Sequence, residues 1–355
     1  MGRHPALKVL TVLVAIVLLA GGIARAAALV GETTHMRAES VPVSALSQLK
    51  ANYRQPDTIP FPPSDPYTPE KALLGRMLFD DTRVSGAGGL ACASCHNPAF
   101  AYGDGLAKGI GAGLKPLDRR SPSIVNGAWG VLFMWDGRAS SLEEQASGPI
   151  EGPREMNQPL DRLVPVLAKI PEYQSLFAAA FPRRKMTPET IVSAIATYER
   201  TIVSGVAPFD EWIEGDEAAI PDAARRGFTL FNTKAGCASC HGGWLFTDDG
   251  FHDTGLPDDD LGRGQLFPRV VMMRHAFKTP GLREVASRGP YMHDGSLPTL
   301  EAVIAHYNQG GRDRPSKSEL MTPLGLSADE QADIVAFLRT LTSSIRPSVI
   351  PTLPR

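Results

Sequence analysis

Two short strings in this chain, Cys92-Ala93-Ser94-Cys95-His96 and Cys237-Ala238-Ser239-Cys240-His241, have the same chemical make-up. A Cys-x-x-Cys pair alone suits a thioredoxin-like redox couple or half of a zinc site. Neither use needs a histidine directly after the second cysteine, yet both copies carry one, which is the pattern of c-type haem attachment. There the two thiols form thioethers with the haem vinyl groups, and the adjacent histidine is delivered beneath the iron. The strings use all 4 cysteines of the chain, so none is left for a structural disulfide. The expected cofactors are two covalently bound haem c groups, with His96 and His241 as iron ligands.

The elements that must hold these groups read as helices. Gly75-Arg76-Met77-Leu78-Phe79 precedes the first motif and Gly227-Phe228-Thr229-Leu230-Phe231 the second, each as a short helix feeding an attachment loop. This weak internal repeat is the first sign of a duplicated architecture. Thr187-Pro188-Glu189 offers an N-cap with proline at the first helical position, followed by Ile191, Ile195 and Ile202. Ser327-Ala328-Asp329-Glu330 has the form of a capping box, and Ile334, Val335, Phe337, Leu338 and Leu341 keep helical spacing. No run of alternating strands stands out. The expected class is mainly α, two cytochrome c-like haem domains arranged as a tandem duplication.

A chain of 355 residues has room for two compact domains. The expected division is a leader over 1–28, an extended proline-rich segment over 29–68, an N-terminal haem domain over 69–205, a C-terminal one over 206–345 and a tail over 346–355. Prolines 56, 60, 62, 63, 66 and 69 deny backbone donors and favour an extended strap. Arg3 and Lys8 precede an uncharged run from Val9 to Ala24, and Ala24-Arg25-Ala26 fits a leader cleavage site. An uncleaved membrane anchor is the alternative. Either reading places the body of the protein outside the cytoplasm, in the periplasm. The net charge of -2, from 36 basic and 38 acidic residues that are interspersed, gives no basic stripe for phosphates and excludes nucleic acid as the expected partner.

Longer strings around the motifs carry a resemblance. LGRMLFDDTRVS, FMWDGRASSLEEQASGPIEGPREMN and FKTPGLREVASRGPYMHDGSLPTLEAVIAHYNQGG make the region from about Pro69 to Ser343 similar to the bacterial dihaem cytochrome c peroxidases, and within them to the MauG-like branch. The resemblance implies that the first haem reacts with hydrogen peroxide, that the second is a six-coordinate electron store, and that Trp135 lies between them. It further assigns Gln145, Pro149 and Glu155 to the peroxide pocket. Breaking the O–O bond needs a group that takes a proton from the inner oxygen and returns it to the outer one, a role for Glu155. Gln145 would orient the peroxide and Pro149 would restrict the pocket. The plainer alternatives are a solvated carboxylate, an exposed amide, a loop proline and, for Trp135, core packing. Asp136 and Arg138 either pair with haem propionates or close a turn.

Ligand supply separates the two irons. Of the 8 histidines none lies between His96 and His241, so the loop in which many relatives carry a capping histidine has none here, and the matching position is near Ala112. The first iron is expected to have an open sixth position. The resemblance places Tyr307 opposite His241, with Leu300, Val303 and Ile304 sharing its helical face. An ordinary buried tyrosine, or ligation by Met272, Met273, Met292 or Met321, is the alternative. A phenolate would stabilise oxidised iron where a thioether favours reduced iron.

Family members also hold an interdomain calcium through an asparagine side chain and two carbonyls, and the matching positions are Arg120, Arg288 and Pro290. Arginine offers no side-chain oxygen, so calcium is doubtful unless nearby Asn126 serves. The functional expectation is a peroxide-dependent oxidase that draws electrons from a partner protein through a high-valent dihaem state, with Trp212 or Trp244 as relays to the surface. The alternatives are a conventional peroxidase fed by a small cytochrome or cupredoxin, and a non-catalytic electron carrier.

Overall fold

The computed structural model describes residues 43–344 and 350–355. The leader segment 1–28 and residues 346–349 of the expected tail lie outside these residues, and among the described ones no helix is long and apolar enough to cross a membrane. The helices, in chain order, are α1 (Val43–Ala51), α2 (Pro69–Asp80), α3 (Cys92–Cys95), α4 (Leu142–Glu151), α5 (Leu160–Leu167), α6 (Pro171–Ala180), α7 (Pro188–Arg200), α8 (Pro208–Ile213), α9 (Asp222–Asn232), α10 (Leu300–Gln309) and α11 (Ala328–Arg339). The only named strands among these residues, β1 (Phe251–His252) and β2 (Phe277–Lys278), form a short antiparallel pair. The class is mainly α, as expected.

Two apolar cores divide the helices. Leu74, Leu78 and Phe79 of α2 meet Ile191, Ala194 and Ile195 of α7 in the first, together with residues of α4 to α6. In the second, Phe228 and Phe231 of α9 meet Ile334, Val335, Phe337 and Leu338 of α11, with Phe209 and Trp212 of α8 and Leu300 and Ile304 of α10. The expected caps are in place: Thr187 accepts from the Thr190 N–H at the start of α7, and Ser327 and Glu330 form a reciprocal capping box on α11.

The same close approach builds each core. A Cβ placed on Gly75 would lie 1.9 Å from the Ala194 carbonyl oxygen, and one on Gly227 would lie 2.0 Å from that of Asp333. Only glycine lets α2 cross α7, and α9 cross α11, at that distance.

Two expectations are corrected. The stretch 29–68 is not extended throughout, since it contains α1, and Leu46, Leu49 and Tyr53 pack on the second core. The Tyr53 ring sits among Phe209, Phe228 and Phe246, which repays the ordering of this segment. Trp212 does not reach the surface: it is 1% exposed, with the Lys50 ammonium 3.7 Å above its ring and its Nε1–H donated to Glu217 at 2.9 Å. The chain end returns to the first half, where the Pro354 carbonyl accepts from Arg83 and the Arg355 N–H is donated to Glu172.

Helix α7 is buried from Thr190 to its end at Arg200, Glu199 included. Burial pushes the Glu199 carboxyl up to about 8, and its Oε2 has no hydrogen-bond partner. An unfolded glutamate ionises near 4.5, so stability is lost as pH rises from there to about 8 and is constant above. Glu199→Gln is therefore expected to raise the melting temperature at pH 8, with the gain shrinking as the pH falls toward 4.5; unfolding curves over that range check this. Gly75→Ala and Gly227→Ala are each expected to cost about 1–3 kcal/mol through overpacking, measurable by denaturant unfolding.

Candidate dihaem site

A cavity of ≈ 1220 Å³ runs between the two cores, larger than the roughly 300–1,000 Å³ of an ordinary small-molecule pocket. Every residue expected at the site lines it: Cys92, Cys95 and His96, then Cys237, Cys240 and His241, and also Trp135, Gln145, Pro149, Glu155 and Tyr307.

Each attachment loop follows its glycine-bearing helix. In the first, α3 carries Cys92 and Cys95, and the His96 ring donates Nδ1–H to the Tyr102 carbonyl at 3.1 Å. In the second, the His241 ring donates to the Phe246 carbonyl at 2.8 Å. A carbonyl can only accept, so both rings are held as the tautomer whose Nε2 is free of a proton. Burial lowers both histidines from their ordinary values and keeps them neutral, the form that binds a metal. None of the four cysteines is in a disulfide. This set fits covalent haem.

The pocket residues of the first half are brought together by the end of α4. Ser141 caps the helix, and Gln145 and Pro149 follow one turn apart on one face. Beyond Glu151 the chain reverses through Gly152, whose carbonyl accepts from Glu155 and Asn157 at 2.9 Å, while Met156 N–H returns to the Pro149 carbonyl at 3.0 Å. That reversal sets Glu155 beside the helix, close enough to Cys95 to act on its thiol electrostatically. Burial raises the Glu155 carboxyl, opposed by the Arg138 and Arg154 guanidiniums, and it makes no hydrogen bond to protein among the described residues. The Gln145 Oε1 is buried without a protein partner. An exposed amide or a fully solvated carboxylate is thus ruled out.

The loop around Ala112, the position that the resemblance matches to a capping histidine, packs tightly here. Ala112 N–H bonds the Arg154 carbonyl at 3.0 Å, and a Cβ on Gly111 would lie 1.9 Å from that same oxygen. Glu199, which the sequence did not single out, also lines the cavity, and acts electrostatically on Cys92.

Trp135 and His293 occupy matching turns. The bridge Phe133–Ala139 closes one and Tyr291–Leu297 the other, with Met134 and Met292 at φ 68 and 70 and Gly137 and Gly295 at φ 68 and 67. The correspondence extends with constant spacing: Asn126 matches Glu284, Ser141 matches the α10 cap Thr299, and Gln145 matches Val303. Pro149 therefore matches Tyr307. This longer repeat was legible in FMWDG and YMHDG, and it places a non-ligating proline over one half and a phenol over the other.

Trp135 joins the halves. Its Nε1–H is donated to the Arg120 carbonyl at 3.0 Å, its own carbonyl accepts from Lys278 N–H at 2.8 Å, and its ring meets that of His293 edge-on at 6.4 Å. Asp136 closes the turn, bound by Arg119 and by Arg138, each at 2.8 Å. Tyr307 makes no hydrogen bond to protein among the described residues, and burial raises its hydroxyl well above the ordinary phenol range. Met272 and Met273 lie off the cavity, whereas Met292 and Met321 line it with Tyr307. Of the proposed relays, Trp244 is half-buried and meets Trp129 edge-on at 4.7 Å.

Comparison with known proteins identifies the family. The family model described as di-haem cytochrome c peroxidase matches residues 69–218, and the cytochrome c model matches 224–342. The methylamine utilization protein MauG of Methylorubrum extorquens is 51% identical over 312 residues, covering 87% of this chain and 88% of that one. Its namesake in Methylophilus methylotrophus is 46% identical, covering 86% and 92%. The crystal structure of a MauG-like protein associated with microbial copper homeostasis superposes with a TM-score of 0.75 at 34% identity, covering 82% of this chain and 95% of that one. This chain, an oxidoreductase with two covalently bound c-type haems, belongs to the dihaem cytochrome c peroxidase family, in its MauG-like branch.

Proposed function

We propose that this protein uses hydrogen peroxide to oxidise a partner protein at a distance. The observation that carries the reading is the contrast between two equivalent cavity-lining positions, Pro149 on α4 in the first half and Tyr307 on α10 in the second. Haem bound at the two motifs would supply peroxide cleavage in the first half and storage of an oxidising equivalent in the second. Proline cannot ligate, so the first half keeps room for peroxide, with Gln145 and Glu155 around it. Tyr307 would help hold the second haem iron; burial raises its hydroxyl, and a bound cation would draw the proton off.

The chain's own groups account for the proton movements. Reduction of one peroxide to two waters takes two electrons and two protons. Glu155, unpaired and raised by burial, accepts the proton from the inner oxygen and delivers it to the outer one. Gln145 Oε1 accepts from the peroxide O–H and fixes its orientation. Trp135 supplies the oxidisable ring between the halves, and the Trp244–Trp129 pair offers a route outward from the second motif. Support for this reading over a conventional peroxidase comes from the two MauG relatives at 51% and 46% identity, whereas the cytochrome-c peroxidase IdrP1 of Denitromonas iodatirespirans is at 39%. The reading includes a periplasmic location, which rests on the leader-like run from Val9 to Ala24.

Stoichiometric peroxide added to the diferric protein tests the whole reading. The starting protein should show one high-spin and one low-spin haem by electron paramagnetic resonance, and peroxide should change both absorption spectra without prior reduction. A resting spectrum that is low-spin throughout contradicts it, and brisk steady-state oxidation of reduced cytochrome c would favour the conventional peroxidase instead. Replacing Tyr307 by His should abolish the stored oxidised state. In Glu155→Gln the reaction with peroxide should slow by about 10²–10⁴-fold. The wild-type rate should fall as the pH drops through the raised Glu155 value, and the variant should lack that limb. Trp244→Phe should leave the reaction with peroxide unchanged and slow the subsequent decay of the oxidised state in the presence of a protein reductant.

A further inference from the structure

Beside Trp135, where the halves meet, the family resemblance calls for a calcium ion, and the donor set there does not suit one. Calcium takes about six to eight oxygen ligands. The side chain at the expected asparagine position is Arg120, which is 7% exposed and carries donors only. Its Nη2 donates at 2.7 Å to the Arg288 carbonyl, one of the two oxygens expected to face the ion. Arg288 brings a second guanidinium, itself donating to the Gly281 carbonyl. The two cations feel each other: burial first and Arg120 second push the Arg288 guanidinium down to about 10. Asn126 is engaged elsewhere, its Oδ1 accepting from Ser204 N–H at 2.9 Å and its Nδ2 donating to the Ser204 hydroxyl at 3.0 Å. The carboxylate that acts on Arg120 is Asp104, held by the Ser121 hydroxyl at 2.8 Å.

The geometry points to Arg120, with Arg288 beside it, as a built-in replacement for the interdomain divalent cation. Two fixed single charges stand where the ion would bring two, and they cannot be lost to a chelator. The main chain of Arg120 does the joining that coordination would otherwise do. Its N–H is donated to the His293 carbonyl at 2.9 Å, and its carbonyl receives the Trp135 indole N–H at 3.0 Å. Arg120 is thereby a positioning residue for Trp135, gripping both matched turns at once.

This inference stands or falls separately from the reaction with peroxide, because its readouts are metal content and haem potential. In purified diferric holoprotein, elemental analysis should find substoichiometric calcium, and prolonged treatment with a calcium chelator should leave both haem spectra unchanged. Arg120→Asn removes one positive charge near the haems, which favours ferric iron, and should shift the midpoint potentials downward in spectroelectrochemical titration. Arg120→Lys keeps the charge and should restore them. Stoichiometric calcium, a spectral change on chelation, or potentials in Arg120→Asn equal to those of the wild type would overturn the inference. Should Arg120→Asn fail to fold, the two wild-type measurements still decide it.

Discussion

Each half of this molecule depends on one steric constraint, a glycine α-carbon resting on a carbonyl oxygen of the crossing helix. Gly75 meets Ala194 and Gly227 meets Asp333 with no room for a methyl group. The crossing fixes where the chain leaves for the attachment loop, since α2 leads toward Cys92 and α9 toward Cys237. It also fixes where the closing helix ends, and there a second pair of matched contacts takes over. Asn126 binds Ser204 after α7, and Glu284 binds Ser343 after α11. Those clamps start the segments that run into the Trp135 and His293 turns. The cavity walls therefore take their positions from packing remote from the chemistry, the arrangement that rigid pre-organisation of a site requires.

On this shared backbone the two halves differ by a few side chains. Met134 and Met292 adopt the same left-handed conformation, uncommon for a residue with a side chain, and that agreement marks the turns as one structure used twice. Trp135 faces His293, Gln145 corresponds to Val303, and Pro149 corresponds to Tyr307. The first half carries an amide and a proline; at the same positions the second carries an apolar side chain and a phenol. Duplication supplies two equal pockets, and substitution at a few positions gives them different chemistry.

Much of this was legible in the chain because the signals are local. The Cys-x-x-Cys-His strings, the Thr187 and Ser327 caps and the Gly75 and Gly227 helices each depend on residues a few positions apart. What could not be read depends on distant packing. Helix α1 has little amphipathic pattern of its own and is held by Tyr53 entering a ring cluster from the other end of the chain. Trp212 looked available as a relay until α1 set Lys50 over its ring. Glu199 reads as a polar position on α7, and only the surrounding helices turn it into a buried acid. The longer repeat was visible in the sequence, yet the motif spacing differs between the halves, so alignment on the cysteines hides it.

The hydrogen bond from Trp135 to the Arg120 carbonyl has a consequence for how an electron would pass between the halves. An oxidised indole becomes a strong acid, and where a carboxylate accepts the N–H it loses its proton and the charge is trapped as a neutral ring. A carbonyl is too weak a base to take that proton. The Trp135 ring, bonded at 3.0 Å to a main-chain oxygen, would keep its proton and be reduced again as readily as it was oxidised. With no base to take its proton, the oxidised ring would be brief. A bridge of this kind passes charge without storing it. Storage would then fall to the second half, where Tyr307 lines the cavity and could offer a phenol oxygen to the haem.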